Sequence, residues 1–428
     1  MAFGNVRFLQ CLLGLQDISN CIALGVRLAK ISQANIRKVI DSRGNPTVEV
    51  DIVSDGGFVG RAAAPSGASK GIFEVKDYPA GGIETGIRKF AEYSGKLCGM
   101  QLSDQTGFDA ELHSIDGTGD FGGIGGNISV AASLAYAKAS AGAEGVWLYE
   151  LLSRGGKKKL PKPMGNVIGG GKHAINGTTM QEFLAISDGK NYSESAFANI
   201  TVHKKVGELL RIKFPSLSLG LGDEKAWVAP LSDEEAFSIL SDAVNFAMDK
   251  TGVKISPSVD LAASEFFENC SYRYKTRSLS TDEQIDFVAE LVERFGIASV
   301  EDPMDQSDFD GFARLTKKIG SKAMVIGDDL FVTNKDRLNR GIMLGAGNAI
   351  LIKPNQIGTL TDMVETVALA KKSNYATVIS HRSGETEDSA IAHLAVGLGI
   401  EYIKTGTIGG ERTAKHNELI RIAERIGS

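Results

Sequence analysis

The sequence predicts an α/β protein in which an N-terminal α+β domain precedes a C-terminal α/β barrel. Three observations support this fold class. A chain of 428 residues is longer than one ordinary hydrophobic core accommodates. Up to about residue 155 the sequence mixes strand-like and helix-like patterns. After about residue 160, aliphatic strands alternate with amphipathic helices. We expect three parts: an N-terminal extension at 1–30, the α+β domain at 31–155 and the barrel at 156–428.

The first domain is predicted to begin with an antiparallel sheet. Residues 33–65 read as a β-meander whose turns fall at Gly-Asn-Pro and Asp-Gly-Gly. A helix over 127–143 follows, rich in alanine and serine and therefore able to pack closely, with Asn127 as its N-cap. Residues 1–30 are expected to lie outside the fold, and we hypothesise that translation starts near Val26 instead of Met1.

The second domain is predicted to be one closed barrel of parallel strands. Amphipathic helices are expected at 233–252 and 281–296, each between two short aliphatic strands. The strands end, at the spacing of one βα unit, in residues that are mostly charged: Asp260, Glu301 with Asp302, Asp328 with Asp329, Lys353, Ser380 to Ser383, and Lys404. In a barrel these ends meet at one mouth, which is where active sites of this fold lie.

The chemistry of these strand ends indicates a metal-assisted reaction. Acids from consecutive strands suit a hard divalent cation such as Mg²⁺. Lys353 and Lys404 are expected to lie near each other and near the cation, and these positive neighbours would lower the pKa of one of the two lysines until it can act as a base. Arg382 with Ser383 suits a phosphate or a carboxylate. The set indicates removal of a proton next to a carboxylate, with the metal stabilising the charge that forms.

Composition and charge exclude several classes of function. The net charge of −5 gives no basic face for nucleic acid. No apolar stretch is long enough to span a bilayer. The four cysteines are scattered without a C-x-x-C pair, so a reduced cytoplasmic location is expected.

Several motifs resemble those of the enolase family over about residues 31–426. They include DSRGNPTVEV (41–50), PSGAS (65–69), EDP (301–303), GDDLFVTN (327–334), IKPNQIGTL (352–360) and SHRSGETED (380–388), and GGERTAKHNELIRI (409–422) is similar to archaeal members. The resemblance implies an enolase-type fold, in which an α+β capping domain precedes a TIM-like barrel. It also implies a cytoplasmic lyase of glycolysis and gluconeogenesis that dehydrates 2-phosphoglycerate reversibly to phosphoenolpyruvate, as a homodimer or larger homo-oligomer.

The resemblance further implies a role for each matching residue. Two Mg²⁺ ions bind per active site: Asp260, Glu301 and Asp328 hold the first, and Ser69 holds a second that arrives with substrate. Lys353 is the base that takes the C2 proton, and Glu224 is the acid that helps the C3 hydroxyl to leave. Contacts with the phosphorylated carboxylate substrate come from His173, Gln181, Glu182, Arg382, Ser383 and Lys404.

Two loops depart from the family pattern and leave alternatives open. DEKAWVAP (223–230) replaces the usual DEGGFAP, and PSGASKG (65–71) carries Lys70 in place of threonine. The chain could therefore be a paralogue acting on another carboxylate, or a catalytically weak enolase-like binding protein. A Schiff-base aldolase using Lys353 or Lys404 is a fourth hypothesis, which three adjacent acids fit poorly.

Overall fold

The computed structural model describes residues 29–68, 70–156, 158–174 and 177–427. The predicted extension, apart from its last two residues, and the predicted metal ligand Ser69 lie outside these ranges. Within them, no helix combines the length and the apolar character needed to cross a membrane.

The first domain carries a three-stranded antiparallel sheet, as predicted. Its strands are β1 (Ile31–Ile40), β2 (Pro46–Ser54) and β3 (Val59–Ala63), paired in that order. Four helices follow: α1 (Gly82–Leu97), α2 (Gln105–Asp116), α3 (Gly126–Glu144) and α4 (Leu148–Ser153). A Cβ at Gly60 would lie 1.9 Å from the carbonyl oxygen of Ala135, so the sheet and α3 approach as closely as only glycine permits.

The predicted N-cap of this helix is wrong by two residues. Gly125 precedes α3, and Asn127 lies within its first turn. The side chain of Asn127 is buried and its Oδ1 accepts a hydrogen bond from Nδ2 of Asn355, at 3.2 Å, in the second domain. The side chain of Asn127, which the sequence predicts to cap its own helix, therefore forms a contact between the two domains instead.

The second domain is a closed eight-stranded barrel surrounded by helices. Its strands, including short ones outside the barrel, are β4 (Lys162–Gly169), β5 (Glu182–Asp188), β6 (Gly220–Leu221), β7 (Trp227–Val228), β8 (Lys254–Asp260), β9 (Phe267–Glu268), β10 (Ser271–Arg273), β11 (Ser278–Leu279), β12 (Ser299–Glu301), β13 (Met324–Gly327), β14 (Ala349–Ile352), β15 (Ala376–Ser380) and β16 (Tyr402–Lys404). The barrel order is β4-β5-β8-β12-β13-β14-β15-β16, and β16 pairs with β4 to close it.

One barrel strand runs against the predicted parallel direction. β5 is antiparallel to both β4 and β8, whereas the other neighbouring pairs of the barrel are parallel. Gly169 at the end of β4 is the register partner of Glu182 at the beginning of β5, so the chain returns directly and lacks the helical crossover that a parallel pair requires. The beginning of β5, not its end, therefore lies at the mouth of the barrel.

Helices surround the barrel. They are α5 (Tyr192–Lys213), α6 (Asp233–Thr251), α7 (Thr281–Phe295), α8 (Phe309–Ile319), α9 (Lys335–Leu344), α10 (Pro354–Ile357), α11 (Leu360–Lys372), α12 (Ala390–Gly397) and α13 (Gly410–Ile426). Capping boxes start α6 and α7, and the left-handed residues Gly252 and Gly296 end them. Both predicted helices are confirmed to within one residue.

Candidate active site

The charged strand ends converge at one mouth of the barrel. β8, β12 and β16 end at Asp260, Glu301 and Lys404, while Asp328 and Lys353 directly follow β13 and β14. Asp260 is the register partner of Glu301 on one side. On the other side it pairs with Glu182, the first residue of the antiparallel strand β5.

A cavity lies at this mouth. Its lining contains most of the residues that the sequence singled out: Gln181, Glu182, Glu224, Asp260, Asp328, Lys353, Ser380, His381, Arg382, Ser383 and Lys404, with Gly67 and Ala68 from the first domain. Glu301 contacts the lining residue Lys404. The backbone of His173 forms a 3₁₀ turn with Gly171 and Lys172 in the loop between β4 and β5.

Lys404 lies among three buried carboxylates. Its Nζ is 2.8 Å from Glu301 Oε1, 3.0 Å from Asp260 Oδ2 and 3.2 Å from Glu182 Oε2. Burial alone lowers the pKa of a lysine, but these acids together raise the pKa of Lys404 well above its ordinary value. Lys404 is therefore an ammonium group that offsets part of the negative charge of the mouth.

Lys353 forms an ion pair with Asp328. Burial lowers the pKa of Lys353, Asp328 raises it, and the net result is a raised pKa. Arg382 and Lys404 oppose the Asp328 carboxylate only in part, and the predicted lowering, which also needs the cation, stays a prediction. Oδ1 of Asp328 also accepts a hydrogen bond from Nε2 of Gln356, at 2.9 Å, which fixes the orientation of the carboxylate.

Arg382 is held by a residue that the sequence analysis missed. Its NH1 and NH2 donate to the two oxygens of Glu74, each at 3.0 Å, and NH1 also donates to Asn355 Oδ1 at 2.9 Å. Ser383 Oγ accepts a hydrogen bond from the backbone N–H of Ala68, at 2.6 Å. Glu74 lies 308 residues from Arg382 in the chain, so no local pattern in the sequence signals this pair.

Glu224 is buried in the altered loop, with its carboxylate in contact with polar partners. Its Oε2 accepts from Nδ2 of Asn166 at 3.1 Å and lies 3.4 Å from Nε2 of His381. Nδ1 of His381 accepts from the backbone N–H of Gly406, so the ring hydrogen lies on Nε2 and faces Glu224. Burial lowers the pKa of His381 to about 4, which keeps the ring neutral.

The residues that replace the usual glycines keep this loop in place. Lys225 adopts a left-handed backbone with φ 62°. Its carbonyl oxygen accepts a hydrogen bond from Nε2 of His203 at 2.8 Å, and Nε1 of Trp227 donates to the carbonyl oxygen of the same histidine at 2.9 Å. α5 thus holds the segment that follows Glu224.

The comparison with protein families agrees with this arrangement. Residues 31–152 match "Enolase, N-terminal domain", and residues 157–428 match "Enolase, C-terminal TIM barrel domain". The chain belongs to the enolase family. The resemblance inferred from the motifs and the enolase-type fold are both confirmed.

Archaeal enolases are similar to this enolase-family chain along almost its whole length. The enolase of Thermoplasma acidophilum is 47% identical over 399 residues, which are 93% of this chain and 99% of the relative. The enolase of Methanothermobacter thermautotrophicus is 49% identical over 403 residues, covering 92% and 97%. The enolase of Halorubrum lacusprofundi is 48% identical over 404 residues, covering 93% and 99%.

The carboxyl groups of this enolase-family site fit the Mg²⁺ that the resemblance implies. Oxygens of Asp302, Asp328 and Asp329 lie within 4.8 Å of one another, a set that shares only Asp328 with the predicted ligands. Burial and Asp328 raise the pKa of Asp329 to about 8, and burial with Asp260 raises that of Glu301 well above its usual range. Buried acids this close together favour a hard cation with oxygen ligands.

Proposed function

We infer that this enolase-family protein catalyses the reversible dehydration of 2-phosphoglycerate to phosphoenolpyruvate, and that it depends on Mg²⁺. The observation that carries the inference is the mouth of the barrel, where buried acids, two lysines and an arginine–serine pair line one cavity. Identities of 47–49% to named enolases over more than nine-tenths of the chain support the same reaction.

The proposed roles follow from the chemistry of each group. Lys353 Nζ accepts the proton from C2 of the substrate. Glu224, in its protonated form, gives a proton to the C3 hydroxyl, which leaves as water, while the neutral ring of His381 lies beside it. These two transfers balance the reaction as the loss of one water molecule.

Other residues are proposed to bind the substrate and the ions. Arg382 and Ser383 contact the phosphate, and Gln181, Glu182, His173 and Lys404 complete the contacts. We propose that one Mg²⁺ is bound by Asp260, Glu301 and Asp328, and a second by Ser69. When bound, Mg²⁺ supplies positive charge beside the substrate carboxylate. The burial of these three carboxylates and the electrostatic influence of Asp260 and Asp328 on Glu301 support this assignment.

Three further proposals accompany the reaction. We place the domain boundaries at 31–155 and 156–428, with 1–30 as an extension. We expect a cytoplasmic homodimer or larger homo-oligomer without a nucleic-acid partner, because the family resemblance and the net charge of −5 favour this.

The alternative functions are less favoured. A Schiff-base aldolase fits poorly with three adjacent acids, and Lys404, which contacts three carboxylates, is held as an ammonium group. Arg382 and Ser383, which line this cavity, oppose a paralogue whose substrate has no phosphate. A weak binding protein would have no need of both lysines.

A single assay tests the proposed function. Formation of phosphoenolpyruvate is followed by its ultraviolet absorbance, with 2-phosphoglycerate and Mg²⁺, then with EDTA, then with Mg²⁺ restored in excess. We expect turnover that EDTA removes and Mg²⁺ restores. Titration calorimetry of Mg²⁺ into the protein gives a second readout besides activity. Folded protein without Mg²⁺-dependent turnover would refute the inference.

A further inference from the structure

Three cationic or polar side chains on one face of α13 are buried beneath the active-site cavity. Arg412, Lys415 and His416 stand at positions i, i+3 and i+4 of this helix, so they point the same way. They belong to the motif GGERTAKHNELIRI, to which no catalytic role has been given above. Each of the three side chains contacts a backbone carbonyl oxygen of a loop at the mouth.

Arg412 joins two of these loops. Its NH1 donates to the carbonyl oxygen of Arg382, and its NH2 donates to that of Ser383, both at 2.7 Å. NH2 also donates to the carbonyl oxygen of Asp223, at 3.4 Å. The guanidinium is 0% exposed. A planar group with several fixed donors can bridge carbonyls in this way, and the single ammonium of a lysine cannot reproduce it.

Packing around Arg412 brings in a third segment. A Cβ at Gly406 would lie 2.6 Å from the carbonyl oxygen of Glu224 and 3.1 Å from Cγ of Arg412. A Cβ at Gly409 would lie 2.7 Å from Cγ of Lys225. The glycines of the strand-end segment therefore allow the loop of Glu224 to lie directly against the side chain of Arg412.

Lys415 fixes the residues that follow the phosphate-contacting pair. Its Nζ contacts Glu385 Oε2 at 2.7 Å and donates to the carbonyl oxygen of Thr386 at 2.6 Å. Burial favours the neutral form of Glu385, but the charges of Lys415 and Arg412 hold its pKa below the usual value. Oε1 of the same carboxylate accepts the backbone N–H of Arg382, at 3.1 Å. Helix α13 thus contacts segment 382–386 at its beginning through Arg412 and at its end through Lys415.

We propose that Arg412 is a positioning residue that couples the phosphate-contacting segment 382–383 to the acid-bearing segment 223–224. The proposal rests on the proposed function for the roles of these segments, but the coupling itself is a property of the ligand-free protein. Because both segments share one buried donor group, removing it takes a hydrogen bond from the buried carbonyl oxygen of Arg382 and one from the partly buried contact at Asp223. Misplacement of a reacting group by about 1 Å can cost about 10²-fold in rate.

Hydrogen–deuterium exchange tests the coupling without any substrate. We expect Arg412→Met to speed amide exchange by at least about tenfold in peptides covering 222–226 and 381–386 together. Leu419→Ala is the matched control, because Leu419 is also 0% exposed on α13 and is not among the partners of the two loops. It should speed exchange in the helix and spare both loops. Unchanged exchange in both loops, or a response in one alone, would overturn the coupling.

Kinetics give the second test, with Arg412→Lys as a conservative variant that keeps the charge. We expect KM for 2-phosphoglycerate to rise about tenfold. The rate of dehydration should fall about tenfold more than the rate of exchange of the C2 proton with solvent, since Glu224 serves only the former. The proposal is overturned if the folded variant changes only KM, or if it changes neither KM nor the ratio of the dehydration rate to the rate of C2-proton exchange. If the wild type shows no turnover, the proposed function fails, and hydrogen exchange still decides the coupling.

Discussion

Lys353 and Glu224 are assigned to two different proton transfers, so their variants should have different defects. Lys353→Ala should lower both turnover and exchange of the C2 proton by about 10²–10⁴-fold, the usual contribution of a general base. Glu224→Gln should lower the rate of dehydration by a similar factor and leave the rate of C2-proton exchange unchanged. Proton NMR of 2-phosphoglycerate in D₂O measures the exchange, and coupled absorbance measures turnover. Exchange that survives in Lys353→Ala would assign the base to another residue.

His416 makes the stability of the fold depend on pH. The carbonyl of Gly406 can only accept, so Nε2 of His416 donates to it at 3.1 Å, and Nδ1 accepts from the hydroxyl of Tyr192 at 2.7 Å. Burial lowers the pKa of His416 to about 4. Between about pH 4 and 6.5 the unfolded chain therefore binds a proton that the folded chain does not. Stability falls as the pH drops through this window, by at most about 3 kcal/mol.

Urea unfolding at pH 7 and pH 4.5 measures this effect. Wild type should lose more stability on acidification than His416→Gln, which cannot take up the proton. His113→Gln is the control with the opposite sign. A hydrogen bond with Asp362 raises the pKa of His113, so its stabilising contribution is present below the unfolded pKa and is lost as the pH rises. Equal losses in wild type and His416→Gln would contradict the prediction.

At the scale of residues, the sequence predicted the strand ends but not their partners. Asp260, Glu301 and Lys404 could be identified because strand C-termini in a barrel share a mouth. The sequence analysis missed Glu74, and it left Arg412 without a role, because each acts through a contact with a residue far away in the chain. The ion pair between Lys353 and Asp328 was not predicted, because it depends on side-chain conformation.

Among the helices, α5 is tightly packed against the loop of Glu224. A Cβ at Gly207 would lie 2.4 Å from the ring of Trp227, whose Nε1 donates to the carbonyl oxygen of His203. We expect Gly207→Ala to displace this ring, to destabilise the protein by about 1–3 kcal/mol, and to lower dehydration. Thermal unfolding and the phosphoenolpyruvate assay measure the two effects.

Gly95 provides the matched control within α1. Nothing lies within 4 Å of a Cβ built at Gly95, which is also inside a helix. Gly95→Ala should therefore raise stability by about 1 kcal/mol through helix propensity and leave activity unchanged. If Gly207→Ala and Gly95→Ala had the same stability, the ring of Trp227 would not restrict the space at position 207.

At the scale of elements, local signals were enough for the helices but not for one strand. The amphipathic pattern placed α6 and α7 to within a residue, and the serine N-caps and terminal glycines that set their ends are neighbours in sequence. The direction of β5 was missed. Its aliphatic pattern is the same in either direction, and only the direct return from β4 decides it.

The two domains share a buried ion pair, and we expect it to contribute to the stability of the whole molecule. Glu74 lies in the first domain and Arg382 in the barrel, with side chains 4% and 3% exposed. Glu74→Gln removes the charge that compensates a buried guanidinium and should cost about 3 kcal/mol in the free energy of unfolding. Glu84→Gln is the control: Glu84 pairs with Lys38 at the surface, with 66% and 50% exposure, and should change stability by less than about 1 kcal/mol.

Denaturant titration distinguishes these variants. Equal midpoints for Glu74→Gln and Glu84→Gln would contradict the importance of the buried pair.

The fold class of both domains was predictable from the sequence because strand and helix periods are local. Their mutual arrangement was not, since it depends on pairs such as this one, 308 residues apart in the chain.

The ion pair between Glu74 and Arg382 also has a consequence for inheritance. Recombination between the coding regions of the two domains would combine a barrel from one ancestor with a first domain from another. Where the incoming domain lacked an acid at this position, the arginine would be buried without a counter-charge. We therefore expect the two domains to descend as one unit, and chimaeras with distant enolases to fold only when both partners of the pair are kept.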